Sequence, residues 1–336
     1  MLKTGIVVLN WNGKDSITAC LDSLLSQSID LKIILVDNGS VDGSLEFIKD
    51  HYTDIELIIN PINVGFAAGV NQGINKAIEL GMEFVALLNN DAVADKSWLG
   101  NLVKSLDDNK SVGIATCKFI SLDKSFLDST GDLYTIWGLP YPRGRKEPVS
   151  SAYDSLVDIF GASGGASLYR VSMLKEIGLF DNDFFAYYED VDISFRAQLA
   201  GWKVKFVPNA LAYHQIGATS SKIKGFTTYQ TIKNLPWVVT KDVPIGLMFM
   251  ILPRFLLAYF SFIFSAVARG QGSYALKGLF MSLVLMPKKL LQRYNIQSTK
   301  KVSTSYINSI LVHDLPPNAT KLIRLRSFWW KSSFKK

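Results

Sequence analysis

Four acids and one histidine stand where the sequence could do chemistry. Asp91 closes the run Glu83-Phe-Val-Ala-Leu-Leu-Asn-Asn-Asp91, and Asp37 follows the apolar Lys32–Val36. Glu189 and Asp190 follow four aromatics in five residues, Phe184-Phe-Ala-Tyr-Tyr188, and His214 follows Ala210–Tyr213. A short apolar run closed by polar residues reads as a buried strand that ends at an exposed edge. A carboxylate placed there, such as Asp91, has a hard cation or a phosphate-bearing ligand as its natural partner. Read alone, the stretch equally fits a strand followed by an Asx-type turn. Asp37 can accept from the ring N–H of a uracil or thymine. The aromatic wall beside Glu189 and Asp190 suits the face of a sugar ring, and transfer to a hydroxyl needs one carboxylate near the attacking oxygen as general base. Asp192 and Arg196, an i,i+4 pair on a helix, have a structural explanation.

Such side chains need a scaffold that brings distant positions to one edge. Gly5–Leu9, Lys32–Val36, Ile55–Ile59 and Phe84–Leu88 read as strands, with helices Asp15–Leu25, Ser44–Asp50 and Ala67–Leu80 between them. That alternation predicts an α/β fold, a mostly parallel central sheet with helices on both faces. Successive strand ends then line one crevice: Asn10, Trp11 and Asn12; Asp37, Asn38, Gly39 and Ser40; Asn63 and Gly65; Asn89, Asn90 and Asp91. Gly65 and Gly69 allow close backbone approach at a helix start, where anions bind. Gly164 and Gly165, in Phe160-Gly-Ala-Ser-Gly-Gly-Ala166, suggest backbone that must approach a ligand, with an ordinary glycine turn as the alternative. Ser121–Leu156 is irregular, with a loop at Gly138–Gly144. Lys203–Val207 and Ala210–Tyr213 read as short edge strands.

Composition narrows the class. The chain has 336 residues, 48% of them apolar, enough for a substantial core. Its two cysteines, Cys20 and Cys117, are too few for a disulfide framework or a cysteine zinc site. The apolar run at Gly5–Leu9 is too short for a signal-peptide core, so the front of the chain is expected in the cytosol. A glycine-rich phosphate loop with a basic residue is missing from the N-terminal stretch, which disfavours a nucleotidyltransferase. From residue 226 the composition changes, which predicts a catalytic domain at 1–225 and a helical, basic, membrane-associated region at 226–336. Val243–Ala268 is interrupted at Pro253-Arg254, leaving uncharged pieces of 11 and 14 residues. Each is short of the ~20 needed to span a bilayer. From Lys288 to Lys336 eleven Lys or Arg stand against one acid, Asp314. Apolar helices beside a basic end suit an in-plane anchor on the anionic cytoplasmic face of a plasma membrane, not nucleic acid. A spanning hairpin and a homodimerisation helix are the rival readings.

Six blocks in order carry a resemblance: V-V-L-N-W-N, V-D-N-G-S-V-D-G-S, N-V-G-F-A-A-G-V-N-Q-G, L-L-N-N-D-A, F-G-A-S-G-G-A-S-L-Y-R and F-F-A-Y-Y-E-D-V-D-I-S-F-R-A-Q-L-A-G-W. From about Thr4 to Ser221 the chain resembles the family 2 glycosyltransferases of the GT-A fold, and most of all their bacterial rhamnosyltransferase-like branch. The resemblance implies an inverting transferase with a nucleoside-diphosphate sugar donor and Mn²⁺ or Mg²⁺. It implies donor contacts from Leu9, Asn10, Asn12, Asp37, Asn38, Asn63, Gly65, Asn71, Asn89, Asn90, Gly164 and Gly165. By the family pattern Asp190 is the base, with Glu189 beside it, and His214 completes the metal shell begun by Asp91. The family's metal motif is often Asp-x-Asp, and here its first position is Asn89. The expected reaction moves a sugar, with L-rhamnose from dTDP-rhamnose as first choice, to a hydroxyl of a growing, lipid-linked bacterial glycan. Another UDP or dTDP sugar (GlcNAc, galactofuranose), or a non-catalytic carbohydrate-binding scaffold, is the alternative.

Overall fold

The computed structural model describes residues 3–215 and 223–317, with 319, 322 and 323. The chain forms two compact units, Met1–Asp132 with Pro142–Lys222, and Leu133–Tyr141 with Ile223–Lys336. The boundary near 226 is therefore accompanied by an excursion that the sequence did not announce.

The first unit opens as β1 (Thr4–Asn10), α1 (Ile17–Leu25), β2 (Lys32–Asp37), α2 (Ser44–His51), β3 (Glu56–Ile59), α3 (Phe66–Glu79) and β4 (Phe84–Leu88). These four strands pair in parallel in the order β4-β1-β2-β3, with Asn10 beside Asp37 in register. β1, β2 and β4 are nearly all apolar because both faces are covered, as a βαβ arrangement demands, whereas the edge strand β3 is only half-buried. Ile17, Cys20, Leu21 and Leu24 of α1 meet Ile6, Val8 and Leu35 on one face of the sheet. Val70, Ile74 and Ala77 of α3 meet Val7, Ile34 and Val36 on the other. The α3 helix lies unusually close to β1. A β-carbon at Gly69 or Gly73 would stand 2.4 Å from the side chain of Leu9 or Val7. Gly69 thus serves helix–strand packing, not anion binding.

The rest of this unit contains β5 (Ala92–Ala94), α4 (Trp98–Asp107), β6 (Val112–Ser121), β7 (Leu127–Ser129), β8 (Asp132–Tyr134), β9 (Pro140–Pro142), β10 (Val157–Asp158), β11 (Ala166–Arg170), α5 (Val171–Ile177), α6 (Glu189–Leu199) and β12 (Lys203–His214). The β8–β9 hairpin is the exception, because most of it goes with the second unit. The full strand order is β10-β12-β6-β11-β4-β1-β2-β3, with β5 on β12 and β7 on β6. Because β11 enters antiparallel to both β4 and β6, the sheet is mixed, although β12 pairs with β6 in parallel again. The two expected edge strands near 203–213 are one strand, β12, held between β6 and the short β10 and β5. Its register shifts between Val207 and Leu211, at Pro208-Asn209, where proline has no N–H for the ladder.

The second unit is helical: α7 (Phe226–Asp242), α8 (Ile245–Ala268), α9 (Gly272–Ser298) and α10 (Thr304–Ile310). Pro253 and Arg254 do not interrupt α8, which runs unbroken for 24 residues, ~36 Å at 1.5 Å per residue. The Arg254 guanidinium turns back to donate to the Met250 carbonyl at 2.6 Å. The inference from two short apolar pieces therefore fails: by length and composition α8 could cross a membrane. Of the basic tail, residues 321, 324, 326, 331, 335 and 336 lie outside the described residues.

Candidate active site

The carboxyl ends of β1 and β2 are tied by one asparagine. Asn10 Nδ2 donates to Asp37 Oδ1 at 3.0 Å, Ser40 Oγ at 3.1 Å and Ser44 Oγ at 2.9 Å, while its Oδ1 accepts from Asn90 Nδ2 at 3.0 Å. Asp37 Oδ2 accepts from the Ser40 N–H. Asn12, in the left-handed region at φ +53, donates its N–H to Ser40 Oγ and accepts from the Val41 N–H. Both Asn10 and Asp37 are fully buried. Asp37 therefore lies under the Ser40 turn and not, as the strand-end reading had it, at the open wall of the crevice.

A second asparagine cluster fixes the start of α3. Asn38 Nδ2 donates to Asn63 Oδ1 at 2.9 Å and to the Gly65 carbonyl, and its Oδ1 accepts from Asn60 and from the Val64 N–H. Asn63 also accepts from the Gly65 N–H at 2.8 Å. Gly65 needs to be glycine, since φ is +89 and a β-carbon would lie 2.6 Å from the Phe185 ring. Asn71 donates to the Phe180 carbonyl and to Asn182 Oδ1, both at 2.7 Å, and accepts from the Phe180 N–H, so it ties α3 to the segment before α6. Leu9 likewise packs on Gly69.

That segment is strained. Phe185, Tyr187 and Tyr188 all take positive φ, +65, +70 and +71. Bulky residues seldom adopt this region, at a cost of order 1–3 kcal/mol each, and such strain persists where surrounding contacts impose it. Here the Phe185 carbonyl accepts from the Ala67 N–H and its ring fills the space above Gly65. The consequence is the start of α6 at Glu189. Glu189 is turned into the protein, 6% exposed, whereas Asp190 is only half-buried. Asp190 Oδ2 accepts from the Gly164 N–H at 3.0 Å and Oδ1 from the Val191 N–H at 2.9 Å. Burial raises its pKa despite these donors. Asp192 and Arg196 are structural as read, a buried pair whose guanidinium also donates to the carbonyls of Ile177, Gly178 and Leu179.

The glycine turn joins Asp190 to Asp91. The Asn89 N–H donates to the Gly165 carbonyl at 2.9 Å, next to the Gly164 that holds Asp190. A β-carbon at Gly165 would press on Asn89 Nδ2 at 3.0 Å and Phe119 at 3.1 Å, so the bare backbone lets these side chains approach. Two residues on, Asp91 Oδ1 stands 3.2 Å from His214 Nε2, brought there by the pairing of β5 with β12, in which Ala92 faces His214. His214 Nδ1 lies 2.8 Å from Asp128 Oδ2, Asp128 Oδ1 lies 3.3 Å from Arg145, and the imidazole stacks on Phe119 at 4.6 Å. Burial alone would lower the imidazole pKa, but the hydrogen bonds and charges of Asp128 and Asp91 outweigh it and raise it to about 9.

These residues fit a divalent cation. Asp91 Oδ1 is buried without a well-formed hydrogen bond. The 3.2 Å between it and His214 Nε2 is close to the spacing of adjacent ligands around an octahedral cation, ~3 Å when each bond is ~2.1 Å. A ligating histidine is commonly oriented by a carboxylate on its other nitrogen, which is Asp128's place. Among the described residues no group of three or more His, Cys, Asp or Glu side chains surrounds one point. Remaining ligands would have to come from substrate or water. Sequence reasoning missed Asp128, which lies in the segment read as irregular. The alternation in Leu127-Asp-Ser129 was the available signal.

Comparison with known proteins is consistent with this geometry. The family model for glycosyl transferase family 2 matches residues 5–178. A poly-beta-1,6-N-acetyl-D-glucosamine synthase of Staphylococcus epidermidis is 26% identical over 217 residues, covering 62% of this chain and 49% of the synthase. An N-acetylglucosaminyl-diphospho-decaprenol L-rhamnosyltransferase of Mycobacterium tuberculosis is 28% identical over 214 residues, 55% of this chain and 66% of the relative. The chain thus spans about half of the first relative and about two thirds of the second. Among solved structures, GalNAc-T7 with UDP, GalNAc and Mn²⁺ superposes with a TM-score of 0.58 at 16% identity, over 72% of this chain and 48% of the other. S. aureus TarS 1-349 in complex with UDP-GlcNAc gives 0.56 at 16% identity, over 89% and 91%. At such identities the likeness is one of fold.

Proposed function

We propose, from the premise that this chain belongs to glycosyl transferase family 2 and is a glycosyltransferase, that it moves one sugar from a nucleoside diphosphate to a hydroxyl of a growing, lipid-linked bacterial glycan, with inversion. The observation that carries the reading is the glycine turn, which has Asp190 on Gly164 and the Asn89–Asp91 strand end on Gly165. Base and cation ligands are thereby set on the two sides of one peptide unit. In the reaction the acceptor oxygen bonds to the anomeric carbon as the bond from that carbon to the diphosphate breaks. Asp190 takes the acceptor proton, and one such carboxylate suffices for a single displacement. Asp91 and His214 would hold Mn²⁺ or Mg²⁺, which when bound neutralises charge on the leaving diphosphate. Asn10, Asn38 and Asn63 keep the Ser40 and Gly65 turns in place around the nucleotide.

The donor is L-rhamnose on dTDP in our first reading, which the mycobacterial relative supports. GlcNAc on UDP is the second, supported by the staphylococcal relatives. Incubating the full chain with UDP and dTDP sugars and Mn²⁺ should release nucleoside diphosphate from one of them and raise its melting temperature, since a ligand of the native state alone stabilises it. No release and no shift with any donor would sink the assignment.

The same proposal places the second unit on the cytoplasmic face of a membrane, in its plane. One side of α8 is packed in its own unit through Leu247, Ile251, Phe255 and Tyr259. The other exposes Phe249 at 87%, Phe264 at 72% and Leu257 at 58%, and α9 adds Phe280 and Leu291. A helix with one face on protein and an apolar face outside suits the headgroup–acyl boundary. High salt should strip part of the enzyme from anionic vesicles and detergent should be needed for the rest. A loop labelled from the far side of a sealed vesicle would instead show a spanning hairpin.

A further inference from the structure

Asp132 is a buried carboxyl, 8% exposed, at the first position of β8. Two backbone hydrogen bonds fix it: its N–H donates to the Gly161 carbonyl at 2.8 Å, and the Gly161 N–H donates to its carbonyl at 2.9 Å. Gly161 also shows where its side chain starts. A β-carbon on that glycine would stand 3.0 Å from the Ser194 β-carbon and 3.6 Å from that of Asp132, so both crowd the same side of the bare backbone. Ser194 lies four residues after Asp190, on the same face of α6. At the other end of the glycine turn, Gly164 donates to Asp190. One four-residue turn therefore holds Asp132 by its first glycine and Asp190 by its next.

We propose that Asp132 is a positioning residue that holds its own proton at neutral pH, so that Asp190, on the same glycine turn, stays ionised and aimed at the acceptor hydroxyl. The proposal rests on the transferase reading above. Two carboxyls in one water-poor pocket do not both ionise readily, and the better-solvated one takes the charge. Asp190 has the Gly164 and Val191 N–H groups and the start of α6. Asp132 faces Asp190 from α6, Asp128 from β7 and Arg145 from the chain after β9, and of these Arg145 alone favours its charged form. Burial first, and then the Asp190 charge, push Asp132 up to about 8. Burial first, and then the charges of Asp190, Glu189 and Asp132, hold the Tyr169 hydroxyl well above its usual range. During transfer the acceptor proton moves to Asp190 and the Asp132 proton stays where it is. Above its pKa, Asp132 adds a second negative charge beside Asp190 and the donor diphosphate, which opposes both.

The test is the pH dependence of kcat/KM for the full chain and for Asp132→Asn. Wild type should be bell-shaped, with an alkaline limb near the Asp132 pKa of about 8. Asp132→Asn, neutral at every pH, should keep the acid limb and lose the alkaline one. A wild-type profile flat into the alkaline range, or an alkaline limb unchanged in the variant, would overturn the proposal. A residue that merely supports the fold would lower the rate at all pH values without moving a limb. Should the variant not fold, infrared difference spectra of wild type read the protonated carboxyl directly. A carboxylic C=O band at neutral pH that disappears on alkaline titration is expected, and its absence would overturn the proposal. That measurement needs no turnover, so it separates failure of this inference from failure of the transferase assignment.

Discussion

Asp190→Asn is expected to slow turnover by roughly 10²–10⁴-fold, the usual contribution of a general base, while donor binding stays nearly unchanged. Asparagine still offers an oxygen to the Gly164 N–H, so the turn keeps its hydrogen bond. It removes a charge whose ionisation burial already opposes, but its NH2 cannot accept from the Val191 N–H, so the two effects offset and the fold should be retained. Glu189→Gln should be milder in rate because Glu189 faces the interior, 6% exposed. Steady-state kinetics and donor titration of both variants decide the matter. If Glu189→Gln were the more severe, the base would be the other acid.

The second large effect is expected at Asp91. Asp91→Ala removes one of two protein ligands and leaves His214 paired with Asp128 alone. A cation that stabilises developing charge contributes several kcal/mol, so loss of its site should lower turnover on the order of 10³-fold or more. The fold should survive, because the backbone bond from the Gln215 N–H to the Asp91 carbonyl needs no side chain. Calorimetric titration with Mn²⁺ in the presence of nucleoside diphosphate should show binding in wild type and none in the variant. Near-normal rates of the variant in EDTA would remove the metal from the mechanism.

Local signals were legible in the sequence and long-range ones were not. The apolar runs and their polar ends located β1, β2 and β4 to within a residue or two, because a strand covered on both faces must be apolar throughout. The Glu189-Asp190 pair was visible from its helix start. What brings Asp91 to His214 is the pairing of β5 with β12, a register between positions more than a hundred residues apart, which no local pattern encodes. Asn71 looked like its neighbours in a ligand-binding block, yet its amide bonds Phe180 and Asn182, partners that only the fold supplies. The reading of α8 failed for a different reason. Proline and arginine in an apolar run usually mark an interruption, but one missing N–H is tolerated when the helix is packed in its unit through its own Leu247, Ile251 and Phe255. Asp132 carries no motif at all, and its position follows from two hydrogen bonds to Gly161.

The Leu133–Tyr141 excursion changes how the chain can be cut. Within the helical unit the hairpin is woven in by backbone bonds, Ile136 N–H to the Val312 carbonyl and Val312 N–H to the Tyr134 carbonyl, and Gly138 lies against Val239 and Phe255. A stop codon near residue 228, the obvious way to make a soluble catalytic fragment, would delete every one of those partners while leaving the hairpin behind. The polypeptide passes between the units three times, at 132/133, 141/142 and 222/223, so no single scission separates them. The first crossing falls directly after Asp132. Removing the helices therefore leaves the strand that begins at Asp132 running into a hairpin stripped of its partners at Val312, Val239 and Phe255.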